Sequence, residues 1–129
     1  MRLVLDTNVV VSAFLTPNGN PSKILKLVLQ RKIELCYNTA ILYEYENVML
    51  RLKFSGKINP IIIRRFINLI RSIGVSFDPI SGKIDFQYES DRIFYDTAKG
   101  SNSFLVTGNI KHYPKEPFIL PPVDLIKKI

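Results

Sequence analysis

The sequence predicts an α/β domain built on a central, mostly parallel sheet. Short strand-like runs (RLVL, KIELCY, VSF, FLVTGN, PFIL) alternate with segments whose apolar residues recur at helical spacing. Two of those segments open on Asn-Pro, an N-cap followed by the residue best suited to the first helical position. No repeat, low-complexity tract or linker interrupts the alternation, so the 129 residues read as a single domain, 1–129.

The elements follow in order. RLVL is the first strand and runs into Asp6, and a short helix is expected to start near Val9. NPSKILKLVLQRK is a helix with Asn20 as N-cap and Pro21 next, carrying Ile24, Leu27 and Val28 at helical spacing. KIELCY is the second strand. TAILYEYENVMLRLKF places Ile41, Tyr45, Val48 and Leu52 along one stripe and reads as a helix opened by Thr39. NPIIIRRFINLIRSIG repeats the cap with Asn59 and Pro60, and Gly74 closes it. VSF is a short third strand. A polar, turn-rich stretch then leads to SDRIFYDTAKG, a short helix with Ser90 as N-cap. FLVTGN is a fourth strand entering a Gly-containing turn, PFIL a fifth, and VDLIKKI a terminal helical turn.

Composition narrows the function classes. Apolar residues make up 47% and charged residues 22%, the balance of a globular chain rather than a disordered one. No stretch approaches the roughly 20 apolar residues of a membrane span. Asp6 and Asn8 interrupt the apolar start, which argues against a signal peptide. A soluble cytoplasmic protein is expected. Cys36 is the single cysteine, which excludes an internal disulfide and a cysteine metal cluster. Its place in IELCY predicts a buried thiol. Eighteen Lys plus Arg against 11 Asp plus Glu give a net charge of +7, which favours polyanionic partners, nucleic acid first.

The acids carry the chemistry. In an open α/β sheet, ligands bind beyond the carboxyl ends of strands at the switch in strand order. Asp6 stands at the end of the first strand, Thr107 and Asn109 at the end of the fourth. If those strands are neighbours, all three face one cleft. Asp6 is then either a helix N-cap or a metal-binding or catalytic carboxylate, with Asn8 and Ser12 placed to orient it. At about 100° per residue, Asp91 shares a helix face with Phe94, Tyr95 and Ala98, whereas Asp96 falls opposite and points to water. Glu44 and Glu46 sit on opposite flanks of their apolar stripe, and periodicity does not choose between them. Carboxylates that converge need a cation, and Mg²⁺ or Mn²⁺, which take oxygen ligands, would relieve their repulsion. His112 is the single histidine, so there is no zinc cluster, and a structural or surface role is expected for it.

Taken together, these stretches resemble the PIN domain family of metal-dependent nucleases. LVLDTNVVVSAF is similar to that family's opening strand, AILYEYENVMLRLKF to its acidic helix, DRIFYDTA to its third element and LVTGNIKHYP to its fourth. The resemblance runs from Arg2 to about Phe118. It implies a three-layer α/β/α fold, one or two Mg²⁺ or Mn²⁺ ions held by acids, and hydrolysis of RNA phosphodiesters. Asp6, Glu44 and Asp91 fall on the catalytic acid positions, and Asn109 stands fourth where many relatives carry Asp. The metal set it implies is therefore Asp6, Glu44, Asp91 and Asn109, supported by Asn8, Ser12 and Thr107. The RLKF and TGN-x-KHYP wording resembles a branch described as toxin components of toxin–antitoxin pairs, which implies a protein antitoxin as partner.

Arg51, Lys53 and Lys111 are candidates for RNA phosphate contact, with ordinary solvated charge as the alternative. Arg64, Arg65 and Arg71 lie on the polar side of their helix and read as solubilising. The apolar stripe of Pro60–Ile73 is expected either in the core or in a homodimer. A PIN-like module that binds RNA or protein without cutting is the alternative function, supported by the amide at Asn109. A phosphatase with a strand-end Asp is the third reading. Such enzymes usually carry a second Asp two residues later, where this chain has Asn8.

Overall fold

The computed structural model describes residues 1–51, 54 and 56–129. The candidate Lys53 and the stripe residue Leu52 lie outside them. Five strands, β1 (Arg2–Leu5), β2 (Glu34–Tyr37), β3 (Val75–Ser76), β4 (Phe104–Val106) and β5 (Ile119–Leu120), form one sheet in the order β3-β2-β1-β4-β5. Every pairing is parallel, and Leu3 to Leu5 of β1 align with Phe104 to Val106 of β4. The helices are α1 (Thr7–Leu15), α2 (Asn20–Leu29), α3 (Thr39–Met49), α4 (Pro60–Ile73), α5 (Arg92–Gly100) and α6 (Pro122–Ile126).

Strand order explains the layers. From β1 the chain steps outward to β2 and then β3, and returns across the sheet to β4. Right-handed crossovers send the outgoing helices to one face and the returning helix to the other. Helix α5 accordingly packs on β1, β2 and β4, while α1, α2 and α6 pack together. The result is a three-layer α/β/α fold. Its central strands are buried on both faces, with Leu3, Val4, Leu5, Leu105 and Val106 all fully inaccessible.

The caps show where local sequence decides. Asn59 caps α4, its Oδ1 accepting from the Ile61 N–H at 2.8 Å. Gly74 closes α4 for a steric reason: a Cβ there would meet the carbonyls of Ile70 and Leu35 and the Tyr37 ring at 2.7–2.9 Å. The α2 cap is Gly19 rather than Asn20, which is itself the first helical residue. Asn38 rather than Thr39 caps α3, its Oδ1 accepting from the Ile41 N–H while its Nδ2 reaches across to α5. At α5, Asp91 and not Ser90 holds the cap position, since Glu89–Asp91 form a 3₁₀ turn that feeds the helix.

Helix α4 buries Ile63, Phe66, Ile67 and Ile70 in the core, so the core takes the apolar stripe. Ile61, Ile62 and Leu69 remain exposed on it, as do Arg64, Arg65 and Arg71. Cys36 is fully buried in β2. Among the described residues no helix is long and apolar enough to cross a membrane.

Candidate active site

The sheet reverses its winding between β1 and β4, and a cleft of about 460 Å³ lies beyond the carboxyl ends of these two strands. Asp6, Asn8, Ser12, Asp91, Asn109 and His112 line it. The register that sets Leu5 beside Val106 brings the next residues, Asp6 and Thr107, side by side, and the Asp6 N–H donates to the Val106 carbonyl at 2.9 Å.

Asp6 stands at the N-cap position of α1, but its side chain makes no capping bond. The helix begins at once with Thr7, not near Val9. The carboxylate turns away into the cleft instead. Its Oδ2 accepts from Thr107 Oγ1 at 2.8 Å and from the Tyr113 hydroxyl at 3.0 Å, with Asn8 Nδ2 at 3.4 Å. Asn8 is fixed in turn by accepting from the Gly108 N–H at 3.0 Å. All of these side-chain donors meet one oxygen, Oδ2, and a backbone hydrogen bond from Thr7 also reaches the carboxylate. Burial raises the Asp6 carboxyl above the ordinary carboxylate range, and the Thr107 and Tyr113 hydrogen bonds oppose the rise. Burial drives the Tyr113 phenol far up, with Asp6 and Asp91 adding to the effect, so it stays a donor.

Asp91 ends the 3₁₀ turn that precedes α5. Its Oδ2 is buried and, among the described residues, has no well-formed hydrogen bond. His112 Nδ1 lies 3.4 Å away, near enough for ion-pair attraction but not aligned as a hydrogen bond. Burial raises the Asp91 carboxyl, and the charges of Asp6 and Glu44 raise it further, against the pull of His112. The sequence offered no reason to place His112 beside an acid, because the pair is joined only by tertiary folding.

Glu44 is half-buried and does not belong to the cleft lining. Its neighbour Tyr45 anchors it. Tyr45 is fully buried, stacks on Phe94 at 6.3 Å, and donates from its hydroxyl to the Leu5 carbonyl at 2.5 Å. Helix α3 is thereby tied to the end of the strand that carries Asp6. Arg51 and Lys111 are exposed and stand outside the cleft lining.

Asp96 corrects the helical-wheel expectation. It is buried, at 8% exposure, rather than solvated. The irregular segment 77–86 folds over it, and the Gly82 N–H donates to Asp96 Oδ2 at 3.0 Å. Arg92 fastens the same segment, donating to the Gly82 carbonyl at 2.8 Å and the Ile84 carbonyl at 2.5 Å, and to Glu89 at 2.7 Å. Arg92→Ala is expected to make the bond after Lys83 cleavable by trypsin roughly several-fold faster, since local opening governs such cuts. Equal digestion rates would show that these contacts do not hold the segment.

The donor set suits a hard cation. Asp6, Asp91 and Asn109, all bearers of oxygen ligands, share the cleft, and among the described residues one buried Asp91 oxygen has no well-formed hydrogen bond. Among the described residues no three His, Cys, Asp or Glu side chains gather closely enough to hold an ion by themselves.

Comparison with known proteins agrees with this architecture. A solved structure, VapBC2 from Rickettsia felis bound to a DNA fragment from their promoter, contains a chain of like fold. The TM-score is 0.59 and the identity 20%, with 93% of this chain and 97% of that one covered. An uncharacterised protein of Methanocaldococcus jannaschii is 31% identical over 112 residues, covering 84% of this chain and 71% of the relative. The PIN domain family matches residues 2–111, and this chain belongs to that family.

Proposed function

We propose that this PIN domain is a metal-dependent ribonuclease, the toxin of a toxin–antitoxin pair. The observation that carries the reading is the meeting of Asp6 and Asp91 in one cleft, with a buried Asp91 oxygen that, among the described residues, has only the long 3.4 Å approach of His112 Nδ1. Asp6, Asp91 and Asn109 would hold a divalent cation, Mg²⁺ or Mn²⁺, with Glu44 as the next acid outward. When bound, such an ion supplies Lewis-acid stabilisation of a phosphodiester and lowers the pKa of an attacking water. Thr107 and Tyr113 hold Asp6 by donating to Oδ2, which fixes the carboxylate at the mouth of β1. His112 holds Asp91 from the side. Glu44, half-buried on the helix that Tyr45 ties to the Leu5 carbonyl, is proposed as the third acid. Lys111, Arg51 and Lys53 are the bases proposed to meet the RNA backbone outside the cleft.

The test is cleavage of single-stranded RNA with and without divalent ions. Cleavage in Mg²⁺ or Mn²⁺ is expected to stop in EDTA and to return when the ion is restored. Cleavage that survives EDTA would refute the metal-dependent reading. A partner is proposed as well: a protein antitoxin that covers the acidic cleft. The chain of like fold was solved as part of the VapBC2 assembly, which supports pairing by analogy of fold. A homodimer through the exposed Ile61, Ile62 and Leu69 of α4 would appear as a doubled mass by light scattering.

One observation favours a second reading, a PIN module that binds without cutting. The amide of Asn109 brings no charge to the cleft, and the described acids do not form a complete ligand cluster on their own. Tight RNA binding with no turnover in any divalent ion would select it.

A further inference from the structure

We infer that Tyr88 and His112 form a stacking subsite for one nucleobase of single-stranded RNA at the edge of the acid cleft, an assignment that rests on the RNA-directed reading above. Tyr88 is a large aromatic left 47% exposed, and it lines the same cleft as Asp6 and Asp91. Its ring centre lies 4.8 Å from that of His112, with the planes tilted by 42°. The two rings therefore do not close on each other face to face, and ring surface stays open to the cleft.

The backbone of Tyr88 and the side chain of His112 both stand next to Asp91. The Asp91 N–H donates to the Tyr88 carbonyl at 3.0 Å. The His112 N–H donates to the Asn109 carbonyl at 3.0 Å, and its imidazole lies 3.4 Å from the Asp91 carboxylate. A base resting on this pair would set its own phosphate within reach of the acids. Charge leads to the same place. Among the described lining residues there are two carboxylates and no lysine or arginine. Val11 and Val48 add apolar wall, and Asn8, Ser12 and Ser90 add neutral polar groups. Such a surface suits the flat, uncharged face of a base, which stacks on aromatic rings with little regard to its identity.

The experiment measures equilibrium binding of a fluorescein-labelled oligouridine decamer to the whole chain in EDTA, against an abasic decamer of equal charge. Tyr88→Ala is expected to weaken binding of the decamer roughly 5- to 150-fold. Tyr88→Phe should bind within about twofold of the unaltered chain, since the ring does the work. The salt dependence should stay the same in all three, because no phosphate contact is removed. On the abasic decamer the three should bind alike. Equal decamer binding by Tyr88→Ala and the unaltered chain, with the fold intact by circular dichroism, overturns the subsite and leaves the nuclease reading standing. An unaltered chain that binds neither decamer, and cleaves no RNA in Mg²⁺ or Mn²⁺, overturns both.

Discussion

Asp6→Asn is expected to lower RNA cleavage by on the order of 10³-fold or more, the scale seen when a member of a cooperating catalytic set is removed, while the protein melts at the same temperature or higher. The two halves of that expectation have one cause. The Asp6 carboxylate is 6% exposed, and its burial disfavours the charge that the proposed cation would need. Thr107 and Tyr113 both donate to Oδ2, so an asparagine would keep its own oxygen there and put its amide nitrogen in the place of Oδ1. A donor would then face the space where a ligand oxygen is required, and the negative charge would be gone. The neutral side chain is easier to desolvate, so the fold does not suffer; a functional carboxylate held at some expense in stability behaves this way. Cleavage time courses in Mg²⁺ alongside thermal melts check both halves. An Asp6→Asn protein that still cuts at near the original rate would remove Asp6 from the mechanism.

Much of this site was readable from local pattern. Asp6, Thr107 and Asn109 announce themselves as polar residues directly after β-rich runs. The topology then needed only β1 and β4 to be neighbours, which they are. Asp91 lines the cleft from the 3₁₀ turn before α5, so helical phase does not describe its direction. What stayed hidden depends on long-range partners. Tyr113 reaches Asp6 across 107 positions, and no period of 2 or 3.6 reports such a meeting. Asp96 was phased correctly on its helix, but segment 77–86 covers that face, and an irregular segment has no pattern that predicts where it will lie. His112 sits in a turn whose direction is set by its 3₁₀ bonds. Glu44 and Glu46 are equivalent by periodicity, and both stand half-buried on α3.

Asn38→Ala is expected to destabilise the domain by about 2–4 kcal/mol, combining a lost helix cap with buried groups left unpaired. For a chain of this size that is a fall in Tm on the order of 10 °C. Asn38 is 3% exposed and uses both ends of its amide. Oδ1 accepts from the Ile41 N–H at 3.0 Å and caps α3. Nδ2 donates to Thr97 Oγ1 of α5 at 2.9 Å and to the Phe77 carbonyl just past β3 at 3.1 Å. One side chain therefore fastens the helix carrying Glu44, the helix that follows Asp91 and the root of segment 77–86. Asn38→Asp separates these roles, because it keeps the acceptor for Ile41 and loses both donors while adding a buried charge. If the cap alone mattered, Asn38→Asp would match the original protein, since aspartate caps helices as well as asparagine does. The tie between α3 and α5 predicts instead that Asn38→Asp loses most of what Asn38→Ala loses, measured by urea unfolding at neutral pH. Loss of that tie also frees Glu44 to move relative to Asp91. Cleavage should therefore fall in both variants at temperatures well below their melting points, where each is still folded.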